Sequence, residues 1–155
     1  MARSQFRFAH RLRVRWAEVD RQGIVFNGHY LTYFDVGVTE YYRALGHPYP
    51  MEDLLAAGLD LYARTAQIEF HSPAQYDDEL DVCVRVPRIG HTSLEFALEI
   101  YRGDLLLVSG GLVYVSADPS ARRARPVPDF LKAAIRRYEQ TPPLETGGGV
   151  MGASR

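Results

Sequence analysis

Asp20 is followed three residues later by Gly23, and four residues after that by Asn27, Gly28 and His29, directly ahead of a long amphipathic run. A carboxylate on a loop can act as a nucleophile or as a general base for water. The start of a helix carries backbone N–H groups without helical partners, and its dipole favours negative charge. A carbonyl oxygen turning into an oxyanion is stabilised in such a place. A loop that folds Asp20 back towards the amides of Asn27 and Gly28 would join the two groups that hydrolysis of an activated acyl group needs. Gly28 also leaves room for a ligand to approach the backbone. The plainer reading is a turn and a helix cap, since Asp before Gly is common turn chemistry and Asn is a common N-cap.

Little else in the chain offers chemistry by spacing. The histidines His10, His29, His47, His71 and His91 include no i,i+4 pair, so nothing local supports a metal site. Walker-type loops, dinucleotide fingerprints and Gly-x-Ser-x-Gly elbows are absent. Cys83 lies inside the strand-like run L-D-V-C-V-R-V with no His beside it, and reads as a small core residue. A single cysteine cannot close an internal disulfide, which fits a reducing compartment and a cytoplasmic protein. The N-terminus has no apolar signal-type segment, and no run approaches the ~18 apolar residues of a membrane span. The 155 residues carry a net charge of −1, with 46% apolar and 24% charged residues. That balance suits one soluble domain and gives no basis for nucleic-acid or membrane binding.

The elements that must position Asp20 follow from periodicity. Phe6, Phe8, His10, Leu12, Val14 and Trp16 alternate with arginines, which predicts a strand with one buried face. Residues 17–26 lose the alternation and read as a loop. Residues 27–45 read as a helix, because Tyr30, Phe34, Val38, Tyr41, Tyr42 and Leu45 recur at three and four. Asn27 is the expected N-cap and Gly46 the expected stop, and Gly37 suggests close approach to a sheet. Residues 51–57 allow a short second helix. Strands are expected over 61–70, 80–87, 93–101 and 105–116, with a turn at Gly103-Asp104 and a bulge at Gly110-Gly111. Pro128 opens a last helix. The composition from Thr141 onward sets 141–155 apart as a flexible tail behind a single domain over 1–140. One central helix amid consecutive strands argues an α+β fold.

The segment R-W-A-E-V-D-R-Q-G-I-V-F-N-G-H-Y resembles the N-terminal motif of hotdog-fold acyl-CoA thioesterases, the group similar to 4-hydroxybenzoyl-CoA thioesterase and its short-chain relatives. Trp16, Asp20, Gly23, Val25, Asn27 and Tyr30 carry the match. I-E-F-H-S-P-A-Q-Y-D-D-E-L, R-I-G-H-T-S-L-E-F and V-S-G-G-L-V-Y-V resemble that family's later strands. The resemblance implies a curved antiparallel sheet of about five strands wrapped around one long helix. It implies Asp20 as the catalytic carboxylate, with the N–H groups of Asn27 and Gly28 polarising a thioester carbonyl. Gly23, Val25 and Phe26 would lie at the acyl group, and Tyr30 and Phe34 would line the acyl pocket or support the helix. Arg88, Gly90, His91, Thr92 and Ser93 would lie along coenzyme A. His29 receives no family role, and Asp35 and Glu40 stand as reserve acids on the helix.

The expected reaction is therefore hydrolysis of an aromatic or short-chain acyl-CoA, with coenzyme A as part of the substrate and no other cofactor or metal. The resemblance also implies a homodimer or homotetramer, in keeping with the exposed edges of a lone sheet. Two alternatives are an acyl-thioester hydratase or dehydratase on the same fold, and a non-catalytic acyl-CoA binding module. An acyl carrier protein in place of coenzyme A also stays open.

Overall fold

The period-two pattern near the N-terminus becomes strand β1 (Phe8–Arg13), with Phe8 buried, His10 and Leu12 half-buried, and Ala9, Arg11 and Arg13 exposed. The computed structural model describes residues 2–146. The strand ends before the pattern does: Trp16 opens a single 3-10 turn (Trp16–Glu18) and is 74% exposed.

Helix α1 (His29–Ala44) buries Tyr30, Tyr33, Phe34, Gly37, Val38, Tyr41 and Tyr42, the face set by the three-and-four spacing. Burying one such large side chain is worth roughly 1.5–3 kcal/mol, so this face rather than helix propensity holds α1 in place. The helix starts two residues later than its pattern suggested. Its N-cap is Gly28, and no side chain caps it, so Asn27 is not the cap. The backbone explains this. Phe26 O accepts from His29 N at 2.9 Å and Asn27 O from Tyr30 N at 3.4 Å, closing the entry turn without a side chain. At the other end Gly46 takes φ +87°, the left-handed conformation of a helix stop.

A short α2 (Glu52–Ala56) follows, then four long strands: β2 (Asp60–Phe70), β3 (Glu79–Ile89), β4 (Ser93–Arg102) and β5 (Leu105–Asp118). Two-residue strands β6 (Arg123–Ala124) and β7 (Leu144–Glu145) flank helix α3 (Asp129–Tyr138). The seven strands form one sheet in the order β1-β3-β4-β5-β2, with β6 on β5 and β7 on β3. All pairings are antiparallel except β3 with β7. The stretch from Thr141, set outside the fold by composition, thus lays Leu144 and Glu145 beside Arg88 and Ile89. Residues 147–155 lie outside the described residues.

Two glycines show how closely α1 and the sheet meet. A Cβ on Gly37 would stand 2.6 Å from Val82 Cγ1, which brings α1 onto β3 as expected. The Gly110-Gly111 pair is not a bulge, because its register with β2 and β4 is unbroken there. A Cβ on Gly110 would stand 2.1 Å from Gln67 O and 2.8 Å from the Phe34 ring, so glycine is required by close approach. The register shifts fall between Ala63 and Thr65, Arg85 and Arg88, and Ile100 and Tyr101. Between helix and sheet lies a core that includes Phe34, Tyr41, Leu80, Val82, Val84, Leu98 and Ile100. Strand β2 ends the order, and most of its residues are exposed.

Candidate active site

Residues 18–26 form a narrow loop that doubles back on itself. Glu18 O accepts from Phe26 N at 3.0 Å, Val19 bridges Val25, and Ile24 O accepts from Asp20 N at 2.8 Å. Gly23 N donates to Asp20 O at 3.0 Å, and Gly23 sits at φ +78°, where a side chain would be strained. Asp20 is half-buried at the tip, and its Oδ1 accepts from Gln22 N at 2.7 Å. One carboxylate oxygen is thereby oriented by the turn.

A second set of contacts fastens this loop to the segment between β2 and β3. Val25 is buried and donates its N–H to Ala74 O at 2.9 Å, while Ile24 bridges Gln75. From the helix side, Tyr30 Oη accepts from Ala74 N at 3.0 Å. Burial raises the Tyr30 phenol above its ordinary range, so it remains a neutral hydroxyl. Ala74 is therefore clasped on both sides. Between the loop, Tyr30 and residues 70–73 lies a cavity of about 250 Å³, with Asn27 at its wall. The N–H groups of Asn27 and Gly28 have no acceptor among the described residues. They stand exposed at the start of α1, where anions are favoured.

The other expected residues divide. Phe26 is 54% exposed and packs edge-on against His29, with ring centroids 5.7 Å apart. Phe34 is fully buried against the sheet and belongs to the core rather than the cavity. Residues 88–93 form the β3–β4 turn, closed by Gly90 N donating to Ser93 O at 2.8 Å. That turn stands at the far end of β3 from the cavity, with the 11 residues of the strand between them at ~3.3 Å of rise each. One chain therefore does not join Arg88, Gly90, His91, Thr92 and Ser93 to Asp20. Arg88 itself pairs with Glu95 at 3.8 Å. Of the reserve acids, Asp35 accepts from Tyr114 Oη at 3.1 Å and Glu40 pairs with Arg43 at 3.2 Å. Asp35 lines a separate cavity of about 340 Å³ further along α1.

Sequence reasoning overlooked Arg122, Arg123 and Arg125. Their backbone runs beside the β3–β4 turn: Ser116 O accepts from Arg125 N at 2.9 Å, Thr92 O from Ser116 N at 2.8 Å and His91 O from Val127 N at 2.9 Å. None of the three makes an ion pair among the described residues. The run R-R-A-R was the available signal. The cavity of about 370 Å³ around His47 and Asp53 exceeds the one at Asn27 in volume, yet it lies off the far end of α1 from the free amides. No group of three or more His, Cys, Asp or Glu among the described residues is placed to hold a metal. Cys83 is buried, and desolvation pushes its thiol up to about 11, consistent with a core residue. None of the described helices is long and apolar enough to cross a membrane.

The thioesterase superfamily model matches residues 22–109, more than half of the chain, spanning the free amides, α1 and the strands from β2 to the middle of β5. The chain belongs to the thioesterase superfamily. A protein of Aquifex aeolicus is 31% identical over 99 residues, covering 63% of this chain and 75% of that one. The acyl-CoA thioester hydrolase YbgC of Escherichia coli is 25% identical over 127 residues, 81% of this chain and 93% of its own. Among solved structures, a 1,4-dihydroxy-2-naphthoyl-CoA thioesterase from Synechocystis superposes with a TM-score of 0.76 at 21% identity, covering 83% of this chain and 94% of that one. The superfamily is that of thioester hydrolases, and its hotdog fold is the one α1 and the curved sheet form here.

Proposed function

We propose that this superfamily member hydrolyses an acyl-CoA, with Asp20 and the α1 amides as its machinery. The observation that carries the reading is the pair of free N–H groups at Asn27 and Gly28, beside a cavity that Asn27 and, from the Asp20 loop, Ile24 and Val25 help to line. The thioester carbonyl points its oxygen at these amides. Water, deprotonated by Asp20, adds to the carbonyl carbon, or Asp20 adds first and water then cleaves the resulting anhydride. The C–S bond breaks, coenzyme A leaves as its thiolate, and the acyl group leaves as a carboxylic acid. A positioned general base contributes typically 10²–10⁴-fold. The name of the Escherichia coli relative, an acyl-CoA thioester hydrolase, supports the substrate class. An aromatic or short acyl group suits the cavity volume.

The arginines beside the β3–β4 turn support coenzyme A as the thiol carrier, since its phosphates call for unpaired guanidinium groups. Their distance from Asn27 supports binding between copies of the chain in a dimer or tetramer. Strand β2 offers the open edge for such pairing, and Leu31 and Val36 of α1 are 43% and 37% exposed.

The test is release of free thiol from a panel of aromatic, short-chain and long-chain acyl-CoAs. Turnover on one class, lost by at least 100-fold in Asp20→Asn with binding largely kept, is the expected result. A change in enoyl absorbance without thiol release would instead indicate hydration. Unchanged turnover in Asp20→Asn would remove Asp20 from the mechanism.

A further inference from the structure

Phe26 stands where the Asp20 loop meets α1. Its N–H donates to Glu18 O at 3.0 Å and its carbonyl accepts from His29 N at 2.9 Å, so the base of the side chain is fixed from both directions. The ring is 54% exposed. It packs edge-on against the His29 ring, with centroids 5.7 Å apart and planes at 76°. It also lies against Gly28. A Cβ on Gly28 would stand 3.0 Å from Phe26 Cε1 and 3.5 Å from Phe26 Cδ1. Apart from its chain neighbours, it would meet no other side chain within 4 Å among the described residues.

A single exposed aromatic ring is ordinary on a protein surface. The seat of this one is not. Gly28 is the N-cap of α1 at φ −66° and ψ −23°, a conformation open to any residue, so no backbone strain calls for glycine there. At a helix start the Cα–Cβ direction tilts towards the N-terminus, the end at which the free N–H groups emerge. The Phe26 ring occupies the place that a side chain on Gly28 would take. One flank of the Asn27 and Gly28 amides is thereby apolar, although both residues are exposed. A hydrogen bond to a developing oxyanion strengthens as water leaves its surroundings. The ring keeps water from one side of that place, and an acyl group in the adjoining cavity would keep it from another.

We propose that Phe26 is the apolar wall of the oxyanion site, seated on Gly28 and buttressed by His29, and that it raises kcat by keeping water from the amides of Asn27 and Gly28. This rests on those amides receiving the thioester oxygen. Phe26 is a positioning residue: it acts through the amides and moves no proton. His29 serves through the edge of its ring and not as an acid or base. Position 28 is glycine because a methyl there would displace the wall.

The experiment uses Phe26→Ala, Phe26→Leu, Gly28→Ala, the double variant Phe26→Ala/Gly28→Ala, His29→Ala and His29→Phe in the full chain. It reads kcat and KM from thiol release, Tm, and the proton resonances of Gly28. Loss of a whole oxyanion donor typically costs ~10²–10³ in rate, and wetting the donors should cost less: kcat in Phe26→Ala should fall about tenfold with KM within about threefold. Phe26→Leu keeps apolar bulk and should recover most of that loss. Gly28→Ala should leave Tm nearly unchanged, since the exposed ring can swing aside, yet lower kcat about as far as Phe26→Ala. In the double variant the two losses should not add, because the methyl has no ring left to displace. His29→Ala should lower kcat about threefold, and His29→Phe, which keeps an aromatic edge, should restore it. The Gly28 Hα resonances should move in Phe26→Leu, where the ring current is gone, while those of β3 and β4 stay.

Additive losses in the double variant would leave Gly28 as an N-cap alone and overturn the proposal. A raised KM with kcat kept in Phe26→Ala overturns it too, since the ring would then only hold substrate. Unmoved Gly28 resonances in Phe26→Leu overturn it without any substrate. Absence of thiol release from every acyl-CoA instead defeats the hydrolytic reading and the purpose of the wall with it, while the resonances separately report whether the ring sits on Gly28.

Discussion

The backbone N–H of Asp20 meets the carbonyl of Ile24 at 2.8 Å, so the acid turns back on its own loop before the chain reaches α1. The position of Asp20 is therefore set by a turn of a few residues and by what clamps it, more than by its seven-residue lead over Asn27.

Gly23 is the weak point of that turn. At φ +78° an alanine pays roughly 1–2 kcal/mol, or the turn opens and releases the Asp20 N–H. Open space surrounds the missing Cβ, so no packing clash adds to this. Gly23→Ala should lower stability by about 1–2 kcal/mol in urea titration, and lower kcat more than it raises KM. An unchanged kcat would mean that the turn conformation does not position Asp20.

The glycines at the helix–sheet contact should not be equally tolerant. At Gly37 an added methyl meets the side chains of Val82 and Val84, and overpacking of this kind typically costs ~1–3 kcal/mol, offset by ~1 kcal/mol of helix propensity. At Gly110 the methyl meets the backbone oxygen of Gln67, which cannot move without breaking strand pairing. Gly110→Ala should therefore destabilise the protein well beyond Gly37→Ala, measured by urea unfolding of both variants side by side.

Asp81 predicts the acid limit of stability on the outer face of the sheet. Its carboxylate accepts from Arg11 Nε at 3.0 Å and pairs with Arg3. The Arg11 hydrogen bond, with Arg3 behind it, holds the carboxyl below its ordinary value despite burial. A folded value below the unfolded value of ~3.9 contributes stability above that pH, lost as pH falls through the depressed folded value. Tm should drop on acidification below about pH 4, and Asp81→Asn should flatten that drop while lowering Tm at neutral pH. An acid profile identical in the two proteins would show that other carboxylates carry it.

Arg123 and Arg125 should act through the nucleotide end of the substrate. Replacing both with Glu should raise KM for acyl-CoA at least tenfold and reverse its salt dependence, with kcat within threefold. KM for the same acyl group on pantetheine, which lacks the nucleotide, should stay within twofold. An equal loss on both substrates would point to a folding effect at the β5–β6 turn instead.

Sequence alone determined the main elements and singled out Asp20, Asn27 and Gly28. Alternation marked β1, three-and-four spacing marked α1, and the Asp-x-x-Gly spacing marked a turn with a carboxylate at its head, because each depends on neighbours within a few residues. Gly37 could likewise be read as a close approach, since a glycine inside a strong helix needs a reason. Only the tertiary structure decided what each pattern meets. It made Gly28 rather than Asn27 the N-cap, since the entry turn is closed by backbone carbonyls. It turned Gly110 from an expected bulge into a contact with Gln67 and Phe34, residues 43 and 76 positions away. It set Leu144 and Glu145 beside β3 and sent the β3–β4 turn to the opposite end of the sheet from Asn27. It also buried Glu18, which in sequence is one more charged loop residue. Periodicity records that a face is covered; strand order and close approach across the core decide what covers it.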